Sequence, residues 1–545
     1  MSKKLLCILL CFVAVLTLAF SGCGEDKTDD PTNEEASARK AVTINMMLIS
    51  DKEVSVETEA LVEAAFNELT QAKYTTKVDF VFLSEDEYFT VLDEKLAAAA
   101  EYKESEALLD IVLPGLVAPE ETEEVVETTA ETIVNELGQR LLKYPDVKEH
   151  QIDIIFLSGR DRLVQYATEG KIKSLDTNLN STSKVLRDYI YPSFLEQVVY
   201  EKNTYAIPNN HLIGEYTYLL VNKELAEKYY IDVTKIKSFA DCKDLIVEIG
   251  TNEAGIPAVL EYADPTNMHY WLGGDDMAII ASELPANATA GTMTKMKSTF
   301  EIKSFTEHML LMKTCEDNGW FAADPANTEK FGVAILNGGA EIGEKYSDDY
   351  EVVVLSYPSL VDETVYESMF AVSSYTADFD RAMEIITFIN TDEDAKNILQ
   401  YGVEDVHYEL DDDGNFVTLN DDYVMNNLYT GNSFLAYTTE DMPADTWEKA
   451  KIANRDSVVS PYIGISSDWG LISPGFIDTL REISDPYIER MNACANAEEL
   501  AAFFETAIEE LAANEIFKAA FSTEEDSSSP NAIYTRWFER VFPAK

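Results

Sequence analysis

The chain has 545 residues, 99 of them acidic and 42 basic, and its formal net charge of −57 argues firmly against nucleic acid and anionic lipid surfaces as partners. A hydrophobic fraction of 46 % and an aromatic fraction of 11 % are those of an ordinary globular protein, long enough for two or more domains with substantial cores. Beyond Phe20 no stretch is long and apolar enough to cross a bilayer.

Lys3 and Lys4 are followed by an apolar run from Leu5 to Phe20, the charged and apolar regions of an export signal. The run ends in Phe20-Ser21-Gly22-Cys23, which resembles the lipobox at which a bacterial cysteine is diacylated and the segment ahead of it removed. Residues 1–22 are therefore expected to be a lipoprotein signal peptide. Cys23 would be the lipidated residue that holds the protein on the extracellular side of the cell membrane. Two acyl chains suffice for that, since each buried CH₂ contributes roughly 0.8 kcal/mol. Residues 23–40 are acidic and nearly free of apolar side chains, as befits a flexible tether. Cys7 and Cys11 would leave with the signal. Cys242, Cys315 and Cys494 remain, without CxxC spacing; buried free thiols are expected, and at most one disulfide.

In chain order, Val42 to Ile49 is an apolar run of strand length, and Val56 to Ala72 carries apolar residues at helical spacing. Lys77 to Leu83 is a second strand, and Ser84 with Glu87 forms a capping box for a helix to about Lys103. A β-α-β-α start implies parallel strands with right-handed crossovers, an α/β fold. Residues 104–150 interrupt the pattern with the acidic stretch Pro119 to Glu127 and a predicted helix from Glu131 to Leu142. Asp153 to Leu157 is the next strand, followed by the Ser158-Gly159 turn and a helix from Asp161 to Glu169 that Gly170 closes. Tyr218 to Val221, Phe331 to Leu336 and Glu351 to Leu355 are further strands, and Leu225 to Tyr229 a helix. Asp378 to Tyr401 is predicted helical, Tyr408 to Leu419 a hairpin, and the tail from Phe476 to Phe521 helical.

Several segments together resemble an extracellular solute-binding protein of an ABC importer, in the carbohydrate-associated family 1 with the type II periplasmic-binding fold. They are Asp153 to Gly159 with Tyr166 to Gly170 and Leu175-Asp176; Tyr205 to Asn210 with Tyr218 to Lys223; Phe370 to Ser374 with Thr391 to Asp394; and Tyr401-Gly402 through His407-Tyr408 to Thr430-Gly431-Asn432. The resemblance implies two lobes, a hinge and a ligand cleft between them. Lobe I would span residues 41–212 and 373–440, and lobe II residues 213–372 and 441–545. It further implies a monomer, anchored to the membrane by its lipid, that delivers a mono- or oligosaccharide to a transmembrane permease. No enzyme activity, cofactor or metal is expected. Peptides, amino acids and other solutes remain open as ligands, and a lipid-anchored glycan-degrading enzyme or a surface adhesion or sensor protein remain alternatives.

Open sheets of this kind bind at the carboxyl ends of their strands, so turns after strands are the candidate ligand contacts. Sugars call for planar polar groups beside aromatic faces. In lobe I the candidates are Glu85, Asp86 and Tyr88 after the second strand, and Ser158, Arg160 and Asp161 after the third. At the crossing they are Tyr205, Asn209, Asn210, Glu215 and Tyr216. The others are Tyr270 and Trp271 beside a glycine pair, Asn337 and Gly338 after a strand, and His407 with Tyr408 at the hairpin. For each, an ordinary cap, turn or core residue is the competing account. Glu409, Asp411, Asp413 and Gly414 approximate a calcium loop, but Asn420 stands where a bidentate Glu is needed, so a hairpin turn explains them better.

Overall fold

The computed structural model describes residues 39–112, 132–134, 140–262, 270–272, 279–283, 296–411, 414–439, 442–460, 474–522 and 528–541. Cys23, the signal, the tether and the stretch Pro119 to Glu127 lie outside these residues.

The chain begins with β1 (Val42–Ile49), α1 (Val56–Tyr74), β2 (Thr76–Leu83) and α2 (Glu85–Val112). Seven of the eight β1 residues are buried, the near-continuous apolar run of a parallel strand covered on both faces. Ser55 caps α1 by accepting from the Thr58 N–H. At the start of α2 the Ser84 hydroxyl donates to the Glu87 carboxylate at 3.0 Å, so the pair found in the sequence meets side chain to side chain. Where a helix was expected from Glu131, short strands at Thr132–Val134 and Arg140–Leu142 pair instead. The β-branched Thr132, Ile133 and Val134 favour that outcome.

Then come β3 (Ile154–Leu157), α3 (Arg160–Thr168) and β4 (Ile207–Pro208), after which the chain leaves the first sheet. It builds a second from β5 (Tyr216–Asn222), β6 (Val259–Tyr262), β7 (Val333–Gly338) and β8 (Tyr350–Ser356), with α4 (Lys303–Asn318) ahead of β7 and α5 (Ala340–Tyr346) behind it. It returns as β9 (Met369–Val372), α6 (Phe379–Thr391) and α7 (Glu393–Tyr401). The stretch expected as one helix is broken at Asp392, whose extended backbone ends α6 and whose carboxylate accepts from the Ala395 N–H to cap α7. The hairpin pairs Tyr408–Leu410 with Phe416–Thr418. Last come α8 (Thr446–Asp456), α9 (Pro474–Asn492), α10 (Ala497–Ala513) and α11 (Pro530–Val541).

The first sheet has the order β2-β1-β3-β9-β4, with β1, β2 and β3 parallel and β9 antiparallel to both its neighbours. The second has the order β6-β7-β5-β8, with β6 parallel to β7 and β5 antiparallel to both its neighbours. Each sheet thus receives one reversed strand, the one arriving from the other sheet. β9 belongs to the first sheet, a few residues ahead of the lobe boundary read from sequence.

β5 alternates in the manner of a strand covered on both sides. Leu219 and Val221 enter one core with Phe239, Ile246, Leu311 and Cys315, while Tyr216, Tyr218 and Leu220 enter another with Tyr350 and Ala453. The helical tail meets both sides: α10 lies against α4 and Asp317 accepts from the Ala497 N–H at 2.7 Å, while Leu480, Leu500, Phe503, Phe504 and Trp537 belong, with Phe300, to the core that contains the first sheet.

Three segments run side by side between the sheets. Ser359–Leu360 pairs in parallel with Val458–Val459. The Asn454 amide accepts from the Ile213 N–H at 2.9 Å and donates to the His211 carbonyl at 2.7 Å. Cys242, Cys315 and Cys494 are all free, the first two buried.

Candidate functional site

The carboxyl ends of β1, β2 and β3 share one edge of the first sheet. β9, being reversed, enters at that edge, and β4 leaves from it toward the second lobe. The same holds for β7 and β8 about β5, so the strand ends of both lobes border the crossing segments.

The lobe I wall begins at Ser50 and Asp51, where the Ser50 N–H donates to the Leu83 carbonyl at 2.8 Å and so holds the ends of β1 and β2 together. A recess of about 390 Å³ opens there, lined by residues 50–54 and by Glu59, Phe82, Leu83, Ser84 and Glu87. Glu85 and Asp86 follow, exposed, in the first turn of α2. After β3 the chain turns at Gly159, whose φ of +85° few side chains tolerate, and its N–H donates to the Tyr366 carbonyl at 2.7 Å. This turn sets Ser158 and Arg160 half-exposed, with Asp161 exposed behind them. Burial pushes the Tyr366 phenol up to about 12, with the Arg160 guanidinium pulling the other way.

Tyr429 completes this wall. It ends the short helical turn Asn427–Tyr429, and its ring packs edge-on against Phe156 of β3, with centroids 5.0 Å apart. Burial raises its pKa, and the charges of Glu85, Asp51 and Glu367 add to the shift. Glu367 also faces His211, with Oε2 3.7 Å from the imidazole Nε2.

On the lobe II wall Glu215 is exposed at the start of β5. Tyr216 and Tyr218, two apart on one face, stack at 5.4 Å, and Tyr357 lies 5.9 Å from Tyr216. The Tyr216 hydroxyl donates to Asp456 at 2.9 Å. Burial first, and then Glu341, Asp456 and Tyr357, push the Tyr218 phenol up to about 12. Asn337 is exposed at the end of β7 and accepts from the Thr217 hydroxyl at 2.9 Å. At Gly338 a Cβ would come within 2.6 Å of Ile342, so glycine lets α5 pack close to the strand end.

Other residues singled out in the sequence serve the fold. Tyr88 is fully buried, donating to the Met47 carbonyl at 3.1 Å and accepting from the Phe156 N–H at 2.7 Å; one helical turn into α2, it points under the sheet. The Asn210 amide accepts from the Tyr191 N–H at 2.8 Å and donates to the Tyr189 carbonyl, which uses both ends. Asn209 is fully buried and donates to the Ser368 hydroxyl at 2.8 Å. Tyr205 precedes β4 and so sits at the amino side of the sheet, packed against the core. His407 is buried and its Nδ1 accepts from the Val403 N–H at 2.9 Å. Tyr408 is buried in an aromatic cluster with Tyr401, Phe416 and Tyr437. Tyr270 and Trp271 lie on a strand that pairs with Ile280–Glu283.

The strand-end edge of the first lobe therefore carries Glu85, exposed, with Ser158 and Arg160 half-exposed, and that of the second carries Glu215 and Asn337, exposed, with Tyr216 and Gly338 buried behind them. Asp51, Glu367, Tyr429, Tyr218 and Tyr357 join them without having been singled out. Asp51 follows β1 as Glu85 follows β2, so the strand-end rule applied to every strand finds it. Chemically the two edges offer carboxylates that accept from hydroxyls, a guanidinium and an amide that donate, and the half-buried rings of Tyr429 and Tyr357.

Two mixed α/β lobes, each with a reversed strand arriving from the other, define the fold of the two-lobed extracellular solute-binding proteins. No protein-family model matches the chain. Over 381 residues, 64 % of the chain and 76 % of the other protein, it is 20 % identical to a carbohydrate ABC transporter substrate-binding protein of Streptococcus pneumoniae. The crystal structure of the N-glycan transport solute binding protein NgtS from the same organism superposes with a TM-score of 0.52 at 17 % identity, covering 92 % of this chain and 99 % of that one. An extracellular solute-binding protein from Bifidobacterium longum subsp. infantis aligns over 93 % of this chain and 99 % of its own, at 13 % identity and a TM-score of 0.45.

Proposed function

We propose that the protein is the substrate-binding component of an ABC importer that captures an oligosaccharide between its lobes and presents it to a membrane permease. The observation that carries this reading is the pair of reversed strands, which brings the strand ends of both lobes to one set of crossing segments. The relative named as a carbohydrate ABC transporter substrate-binding protein supports the ligand class. Asp51, Glu85, Ser158, Arg160 and Tyr429 are the lobe I contacts in this reading; Glu215, Asn337 and Tyr357 are those of lobe II, with Tyr216 and Tyr218 buried behind them. Contacts made by both lobes stabilise the closed form, and the permease recognises that form. No described helix is long and apolar enough to cross a membrane, and a lipid on Cys23 is the anchor we propose.

The test is a thermal-shift and calorimetric screen of residues 41–545 against oligosaccharides, beginning with oligomannose N-glycans because a full-length structural neighbour is named for N-glycan transport. A ligand at about 100 times its Kd adds about 2.7 kcal/mol of stability, a shift of several degrees. Recovery of the sugar intact is expected. Cleaved sugar would replace this reading with a glycan-degrading enzyme, and no shift with any saccharide would remove sugars as the ligand class.

A further inference from the structure

Lys396 is fully buried on α7, and among the described residues no carboxylate pairs with it. Lysines are almost never buried so deeply without an acid as partner. Its Nζ donates instead to the Asn427 carbonyl at 2.9 Å and to the Thr430 hydroxyl at 2.6 Å. Both acceptors flank Tyr429, so one side chain grips the turn that carries this ring on either side. Burial holds the Lys396 pKa well below the ordinary lysine value, and in either protonation state the nitrogen has enough N–H to serve both acceptors.

The same turn is tied to both crossings. The Leu428 carbonyl accepts from the Ser368 hydroxyl, just ahead of β9, and from the Asn209 amide, just after β4. Beyond the turn, the Ser433 N–H donates to the Asn210 carbonyl at 2.8 Å. A methionine would fill the volume of the lysine stem in an apolar core without the desolvation of an amine. What the nitrogen adds is a fixed geometry for the turn.

We propose that Lys396 is a positioning residue of the ligand cleft: it locks the Asn427–Tyr429 turn so that the Tyr429 ring stands on Phe156 and faces the ligand. The binding consequence rests on the reading of the cleft given above; the ordering of the turn does not.

The experiment uses the full chain carrying Lys396→Met, Tyr429→Ala or both. Hydrogen exchange read by mass spectrometry should be faster by more than about tenfold over residues 427–433 in Lys396→Met and unchanged in β1. Calorimetry with the oligomannose glycan should give a Kd weakened about tenfold or more for either single variant, and no weaker for the double variant than for Tyr429→Ala alone. A lysine that merely supports the fold would instead give losses that add. If Lys396→Met does not fold, Thr430→Val removes one acceptor and should loosen the same segment to a smaller degree. Unchanged exchange over residues 427–433, or additive losses of affinity, would overturn the proposal. A parent protein that does not bind the glycan would count against the ligand reading, while the exchange measurement still decides the role of Lys396.

Discussion

Asn210 and Tyr429 look equally suited to a sugar, and the structure separates them by what else they touch. Replacing Asn210 with Ala leaves the Tyr191 N–H and the Tyr189 carbonyl without their partner, which should cost about 2 kcal/mol of stability. Ligand affinity should stay within about twofold of the parent. Tyr429→Ala should lower affinity about tenfold or more, and should also lose the stability that the ring contributes by packing on Phe156. Matched denaturation and calorimetry on the two variants check both at once. His407 is a third polar candidate that packing removed. Burial lowers its pKa from the ordinary 6.5, so the unfolded chain takes up a proton that the fold refuses. Stability from this source is whole above pH 6.5 and is lost as the pH falls through that value toward the lowered folded pKa. The advantage of the parent over His407→Gln, measured by urea denaturation from pH 8 to pH 5, should therefore shrink on acidification. An advantage independent of pH would show that the imidazole does not titrate differently on unfolding.

Elements were legible wherever one local rule acted alone. The run Val42 to Ile49 reads as a doubly covered strand and is one. Apolar spacing persists across Asp392 and so predicts one helical stretch from Asp378 to Tyr401, whereas the chain bends there so that α6 and α7 each meet the core. Asp392 is then an N-cap, and Asp392→Ala should cost about 1 kcal/mol, read as a shift in the urea midpoint. Its ion pair with Lys73 is exposed enough to add little. The stretch after Glu131 went the other way, because helical spacing over a few residues does not outweigh β-branched side chains that find a partner strand.

At the scale of the whole molecule the charge of −57 acts on the hinge. Asp51, Glu85 and Glu367 stand on one wall, and Glu215, Glu341 and Asp456 on the other, so closure brings like charges together. Salt shortens the screening length from about 30 Å at 0.01 M to about 8 Å at 0.15 M. Affinity for a neutral oligosaccharide should accordingly rise with ionic strength over that range, opposite to the trend for a charged ligand held by ion pairs. Closure itself should appear in small-angle scattering as a smaller radius of gyration at saturation. Binding without that decrease would remove lobe closure from the mechanism.

The sequence by itself determined the α/β class, the opening strands and helices, the capped starts and the resemblance to a solute-binding protein, because these depend on residues near one another in the chain. It also placed Glu85, Ser158 and Arg160 at strand ends, since a strand's direction is fixed once the strand is known. Only the tertiary structure decided that β9 joins the first sheet, that Asn209, Asn210, Tyr88 and His407 turn inward, and that Tyr429, far along the chain, closes the wall beside Phe156. The physical reason is that whether a polar side chain faces a ligand or a backbone carbonyl depends on which distant segment packs beside it.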